Sequence, residues 1–118
     1  SNGSNVNYEL NESNYKGYVI VDRTKNTDPA LKAGQIRFIR TGDFVLVHCS
    51  FQTKDAGLKA KENIISKVPE NLAIDFSSHI SLTGTGELLV DAQTQAVSTV
   101  WGLKGNTYYL GTGIYLAK

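Results

Sequence analysis

Residues 44–52 read Phe44-Val45-Leu46-Val47-His48-Cys49-Ser50-Phe51-Gln52. Side chains alternate across a strand, so Val45, Val47, Cys49 and Phe51 fall on one side and Phe44, Leu46, His48 and Ser50 on the other. The first row is wholly apolar and belongs in a core. The second grades from apolar to polar, and its Phe44–Leu46 end needs a cover, either a second sheet or a partner subunit.

Before this strand, Thr41-Gly42-Asp43 reads as a tight turn. Residues 35–41 alternate, with Ile36 and Phe38 on one face and Gln35 and Arg37 on the other. Two β runs around a Gly-Asp pair predict a hairpin, because glycine accepts positive φ. Further upstream, Tyr18-Val19-Ile20-Val21 predicts a short strand that has broken by Asp28-Pro29. Downstream, residues 57–67 are rich in Lys and Ala but lack a 3.6-residue period, and read as strand and loop. Leu72, Ile74 and Phe76 then share one face of a β run. Residues 79–82 and 88–92 flank a turn at Gly84-Thr85-Gly86, and residues 96–103 hold the only Trp. Residues 107–110 and 114–117 close the chain around a second glycine turn at Gly111-Thr112-Gly113. Eight or more short strands without a convincing helix predict an all-β fold: a compact antiparallel sandwich, jelly roll or barrel.

The chain has 118 residues, one Cys, and 12 Lys+Arg against 11 Asp+Glu. A formal charge of +1 lacks the basic excess of a general nucleic-acid binder. One cysteine forms no internal disulfide and excludes a multi-cysteine zinc or iron–sulfur site. No apolar run approaches the ~20 residues of a membrane-spanning helix, so no membrane insertion is expected. Residues 1–16 are polar, with Asn at positions 2, 5, 7, 11 and 14, and read as a linker, neck or tag remnant. Residues 17–118 read as a single β domain. The start at Ser1-Asn2-Gly3 and the lack of Met suggest a terminal domain cut from a longer protein.

No grouping of residues makes a case for catalysis. His48 and Cys49 are adjacent on a strand and point to opposite faces, so they do not form a nucleophilic pair, and Cys49 sits in the apolar row as a small hydrophobe. Asp43, Asp75, Glu87 and Asp91 have no spacing that pairs them. Glu87 and Asp91 share a strand face that reads as a solvated edge. The two His are far apart and no metal set surrounds them, and the Gly-x-Gly stretches lack the following helix of a phosphate loop. No catalytic residue, metal or cofactor is expected. Binding groups are better represented. Trp101, Tyr108 and Tyr115 offer apolar ring faces of the kind that sugars stack on, and Arg40, Asp43 and His48 can fix hydroxyls. A lone Trp in a small β domain is more often a core or interface residue than a ligand contact, and Tyr108 and Tyr109 point to opposite faces, so at most one lines a given site.

Three stretches carry a resemblance: Thr83-Gly84-Thr85-Gly86-Glu87-Leu88-Leu89-Val90, the Trp101-Gly102 step, and Tyr108-Tyr109-Leu110-Gly111-Thr112-Gly113-Ile114-Tyr115-Leu116. With Thr41-Gly42-Asp43-Phe44-Val45-Leu46-Val47 and Val68-Pro69-Glu70-Asn71-Leu72 upstream, residues 35–118 resemble the head domains of receptor-binding proteins. These heads sit at the tail tip or baseplate of siphophages that infect Gram-positive bacteria, the lactococcal phages among them. The resemblance implies a jelly-roll or barrel-like head, a homotrimer, attachment to other tail or baseplate proteins through the part preceding it, and location on the virion. It also implies non-catalytic binding of host cell-wall saccharide, commonly near subunit boundaries, and no cofactor. Trp101, His48, Asp43 and Arg40 are of the residue types that hold polyols in such heads, and Tyr108 and Tyr115 join them as candidates. Phe44 and Leu46 are then the candidate subunit interface. Two other readings stand beside it: a structural tail or baseplate trimerisation domain that touches no receptor, and a carbohydrate-binding module of a bacterial secreted protein.

Overall fold

The structure, a computed structural model, describes the backbone of residues 16–22 and the whole of residues 30–118. The polar stretch read as a linker and the Asp28-Pro29 break lie outside the described residues, apart from Lys16. Among the described residues eight strands follow in chain order: β1 (Lys16–Asp22), β2 (Leu31–Thr41), β3 (Phe44–Thr53), β4 (Asn63–Ile65), β5 (Ser78–Ser81), β6 (Glu87–Val90), β7 (Val97–Thr99) and β8 (Tyr108–Leu116). They form two four-stranded antiparallel sheets, in the orders β1-β2-β3-β8 and β4-β7-β6-β5. The fold is all-β.

β3 occupies the interior of its sheet, and the alternation read from its sequence holds. Val45, Val47, Cys49 and Phe51 are fully buried, while Phe44, His48 and Ser50 are exposed. Ile36 and Phe38 of β2 join the buried row, and Ile80, Leu88, Val90 and Val97 of the second sheet close over it in one core cluster. Burying each such side chain stabilises the fold by roughly 1.5–3 kcal/mol, which makes this inter-sheet contact the main source of stability. Among the described residues two polar side chains, Thr53 and Thr99, are fully buried, and both are hydrogen-bonded. The Thr53 hydroxyl donates to the Lys104 carbonyl at 2.6 Å and accepts from the Thr107 N–H. The Thr99 hydroxyl donates to the Lys59 carbonyl and accepts from the Glu62 N–H. Buried hydroxyls satisfied in this way pin the loops that lead into β4 and β8.

The β2–β3 hairpin has the expected two-residue connection. Thr41 pairs with Phe44, and Gly42 takes φ 59°, the arrangement of a II′ turn with glycine first. The β5–β6 hairpin likewise turns at residues 84 and 85.

Two expectations are corrected. Gly111-Thr112-Gly113 is no turn: β8 runs unbroken from Tyr108 to Leu116, paired with β3 along its whole length. Neither glycine takes a positive φ. They face inward, where β5 crosses close beneath, and a Cβ on Gly111 would collide with the Ser81 carbonyl oxygen, while one on Gly113 would lie 2.9 Å from Ile80. Glycine is needed for the approach of two backbones, a role that composition alone does not separate from turning. The run Leu72, Ile74, Phe76 is also not a single-faced strand. Residues Glu70–Leu72 make one 3-10 turn, Leu72 and Ile74 are buried, and Phe76 is 75% exposed. Ile74 makes an isolated bridge to Ala117. Its N–H and C=O are also bound by the side-chain amide of Gln95, at 2.8 and 3.0 Å, so a side chain replaces the strand partner that the sequence pattern supposed.

Gly111→Ala is expected to destabilise the domain by about 2–3 kcal/mol, the cost of forcing a methyl into a packed contact. Thr112→Ala, on the outward side of the same strand, is expected to change stability by less than about 1 kcal/mol. Urea unfolding of the two variants checks the contrast, and equal effects would contradict the close-approach role.

Candidate functional site

The outward sides of the two sheets differ in chemistry. On the first sheet, cross-strand pairing places Thr41, Phe44 and Leu116 abreast, then Ile39, Leu46 and Ile114, then Arg37, His48 and Thr112. Phe44, Ile114 and Leu116 are each about half exposed or more. With the half-buried Ile39 and Leu46 they form a contiguous apolar patch of on the order of 400 Å², as large as a lone small domain usually shows. The next row ends it with polar groups, where the His48 ring nitrogen Nδ1 and the Thr112 hydroxyl share a 3.2 Å hydrogen bond.

The second sheet is polar outside and hollowed. Asn63 on β4 pairs with Ser98 on β7, Ser98 with Leu89 on β6, and Leu89 with His79 on β5. One outward side chain from each strand therefore lies in a row across the whole sheet. This row borders a hollow of about 380 Å³, with Lys61 and Asp91 also on its lining. His79 Nδ1 meets Glu87 Oε2 at 2.7 Å. Asp91 closes the β6–β7 hairpin: its carboxylate accepts from the Thr94 hydroxyl at 2.7 Å, the Thr94 N–H at 3.0 Å and the Ser77 hydroxyl at 3.2 Å. The Thr94 bonds, more than the others, hold its carboxyl below the usual carboxylate range.

The residues singled out for saccharide contact are not gathered into one cleft. Trp101 is 60% exposed on the β7–β8 connection and is no core residue. His48 and Tyr108 both stand on the outer face of the first sheet, but four residues apart along the paired strands. Asp43 lies in the β2–β3 turn. The Arg40 guanidinium holds that turn, donating from Nε to the Gly42 carbonyl at 2.8 Å and from Nη1 to the Asn71 carbonyl at 2.6 Å. Burial takes Tyr115 out of reach of any ligand. It is 5% exposed, its ring packs edge-on against Phe38, and its hydroxyl donates to the Leu72 carbonyl at 2.6 Å. Tyr109 is buried in the same inward row of β8, its hydroxyl accepting from the Lys104 N–H.

The row Asn63, Ser98, Leu89, His79 was not recognised from sequence. Glu87 and Asp91 were, but as a solvated edge. The local signal was present in the hairpins β5–β6 and β6–β7, whose outward positions follow from alternation. What was lacking was the pairing of β4 with β7, two strands of three residues separated by more than thirty residues of chain, which brings Asn63 into line.

Among the described residues no three His, Cys, Asp or Glu side chains come together as a metal-binding group, and no helix is long and apolar enough to cross a membrane. Cys49 is buried on the opposite side of β3 from His48, and burial pushes its thiol up to about 12. Comparison of the chain with protein-family models, with curated proteins and with solved structures returns no match in any of the three.

The raised Cys49 pKa carries a sign for stability. An exposed thiol ionises near pH 8.5, so the buried neutral thiol contributes fully below that pH, and its contribution is lost as the pH rises toward 12. Alkylation of the native chain at pH 8 is expected to be slow and to become complete in denaturant. The unfolding free energy is expected to fall above about pH 9, and less steeply in Cys49→Ala. The remaining slope includes Tyr115, whose hydroxyl burial also raises, partly offset by Arg40. Fast alkylation of the folded chain would contradict this burial.

Proposed function

We propose that this chain is a non-catalytic receptor-binding head: a jelly-roll-like β domain that forms a homotrimer, recognises host cell-wall saccharide and mediates adsorption at a phage tail tip. The observation that carries the reading is the contiguous apolar patch of Ile39, Phe44, Leu46, Ile114 and Leu116 on the outer face of the first sheet. Phe44 and Leu46 are the residues that the sequence marked for a subunit interface. The patch extends that assignment onto β8, because Ile114 and Leu116 stand directly beside them.

A stable interface covers about 800 Å² on each partner, with an apolar centre and a polar rim. The patch supplies the centre, and Arg37, His48 and Thr112 supply a rim along one side. Association through this sheet leaves the polar, hollowed face of the other sheet outward, free to meet a receptor. Weak contacts of single heads with a sugar are then multiplied by the number of heads on the particle. The phage assignment itself rests on the resemblance of residues 35–118, above all the glycine hairpin and the closing strand β8.

The same patch favours one other reading, a structural tail or baseplate domain that trimerises and touches no receptor. Sedimentation of the chain, with and without cell-wall polysaccharide from a Gram-positive host, separates the two. The receptor-binding reading expects a trimer that binds polysaccharide. A trimer that binds none supports the structural domain, and a monomer overturns both. Phe44→Glu with Ile114→Glu is expected to turn trimer into monomer while thermal unfolding stays cooperative, since both side chains are already exposed.

A further inference from the structure

We infer that the saccharide site lies in the hollow on the outer face of β4-β7-β6-β5, and that it takes a neutral sugar chain laid across the strands. This inference rests on the saccharide reading above and names the surface and ligand class for it.

The first support is the row Asn63, Ser98, Leu89, His79, with one side chain from each strand of the sheet. Neighbouring strands lie about 4.8 Å apart, so the row spans about 14 Å, long enough for more than one sugar ring. The hollow of about 380 Å³ beside it gives depth.

The chemistry along the row suits a polyhydroxylated ligand. Asn63 offers an amide with both donors and an acceptor, and Ser98 a hydroxyl, and neither side chain hydrogen-bonds to another of the described residues. Between them and His79 stands Leu89, half-buried, an apolar surface against which the C–H face of a ring can rest. Asp91 adds an oriented acceptor. Its carboxylate is fixed by Thr94 and Ser77, so little ordering remains to be done on binding.

The charge balance selects a neutral occupant. Lys61, His79 and Asp91 line the hollow, Asp91 held by its own turn, and Glu87 stands behind His79 as its ion-pair partner. An acidic polymer would meet the Asp91 carboxylate as well as the Lys61 ammonium, with the Glu87 carboxylate beside His79, and so gains no net attraction. Val100 also lines the hollow and adds a second apolar surface to that of Leu89.

The test uses host cell-wall polysaccharide divided by anion exchange into neutral and acidic fractions. Each is titrated into the wild-type chain and into Asn63→Ala/Ser98→Ala, with the exposed-turn variant Thr85→Ala as control. The expected result is binding of the neutral fraction, weakened at least tenfold in the double variant and unchanged in the control. Amide NMR shifts on the wild type are expected to concentrate at residues 61, 63, 79, 89 and 98. The NMR arm needs no variant to fold. Neutral binding that the double variant retains, with shifts elsewhere, overturns this site and leaves the saccharide reading standing. Binding of the acidic fraction alone overturns the neutral assignment. Binding of neither fraction overturns the site together with the saccharide reading.

Discussion

Everything in this domain depends on burying the inner row of β3. Val45, Val47, Cys49 and Phe51 can leave water only if a second layer closes over them, and that layer is built from strands of three or four residues. Strands so short offer few ladder hydrogen bonds, so their sheet is held as much by what it packs on as by its own pairing. The loops are tied in accordingly, through Thr53, Thr99 and Gln95, whose side chains take the place of strand partners that the chain lacks. Gly111 and Gly113 complete the arrangement by letting β8 and β5 approach where a side chain would hold the sheets apart.

Much of this was legible in the sequence wherever the information was local. The alternation of residues 44–52, the Gly42-Asp43 turn and the hairpin at Gly84-Thr85 each follow from a few adjacent residues, and each is found in the structure. The failures share a different origin. Gly111 and Gly113 resembled a turn because glycine serves both turning and close approach, and only the position of β5 distinguishes the two. Tyr115 resembled a ligand platform because an aromatic next to the chain end gives no sign of its facing. Its register with Val45, in the inward row, decides that it belongs to the core. Phe76 resembled a core residue because alternation was carried through Leu72 and Ile74, past a 3-10 turn that breaks it.

The candidate site was less legible than the fold for the same reason. Sequence proposed residues by chemical type, and the structure distributes those types over a turn, a loop, a core and a sheet face. The row Asn63, Ser98, Leu89, His79 contains no residue that stands out by type. It becomes a surface only through the pairing order β4-β7-β6-β5, in which neighbours in space come from distant parts of the chain.

The polar row Arg37, His48, Thr112 has a consequence for how two such surfaces can meet. It cuts across the outer face of the first sheet and confines the apolar patch to one end. A second molecule that slid along the strands would set leucine or phenylalanine against the imidazole and guanidinium, stripping them of water without replacing its hydrogen bonds. In the proposed assembly the row would work as an alignment key: association would be permitted in few offsets, and the mouth of any cleft between copies would fall at a fixed height on the domain. Geometry of assembly would be set by three polar side chains that contribute little to its strength.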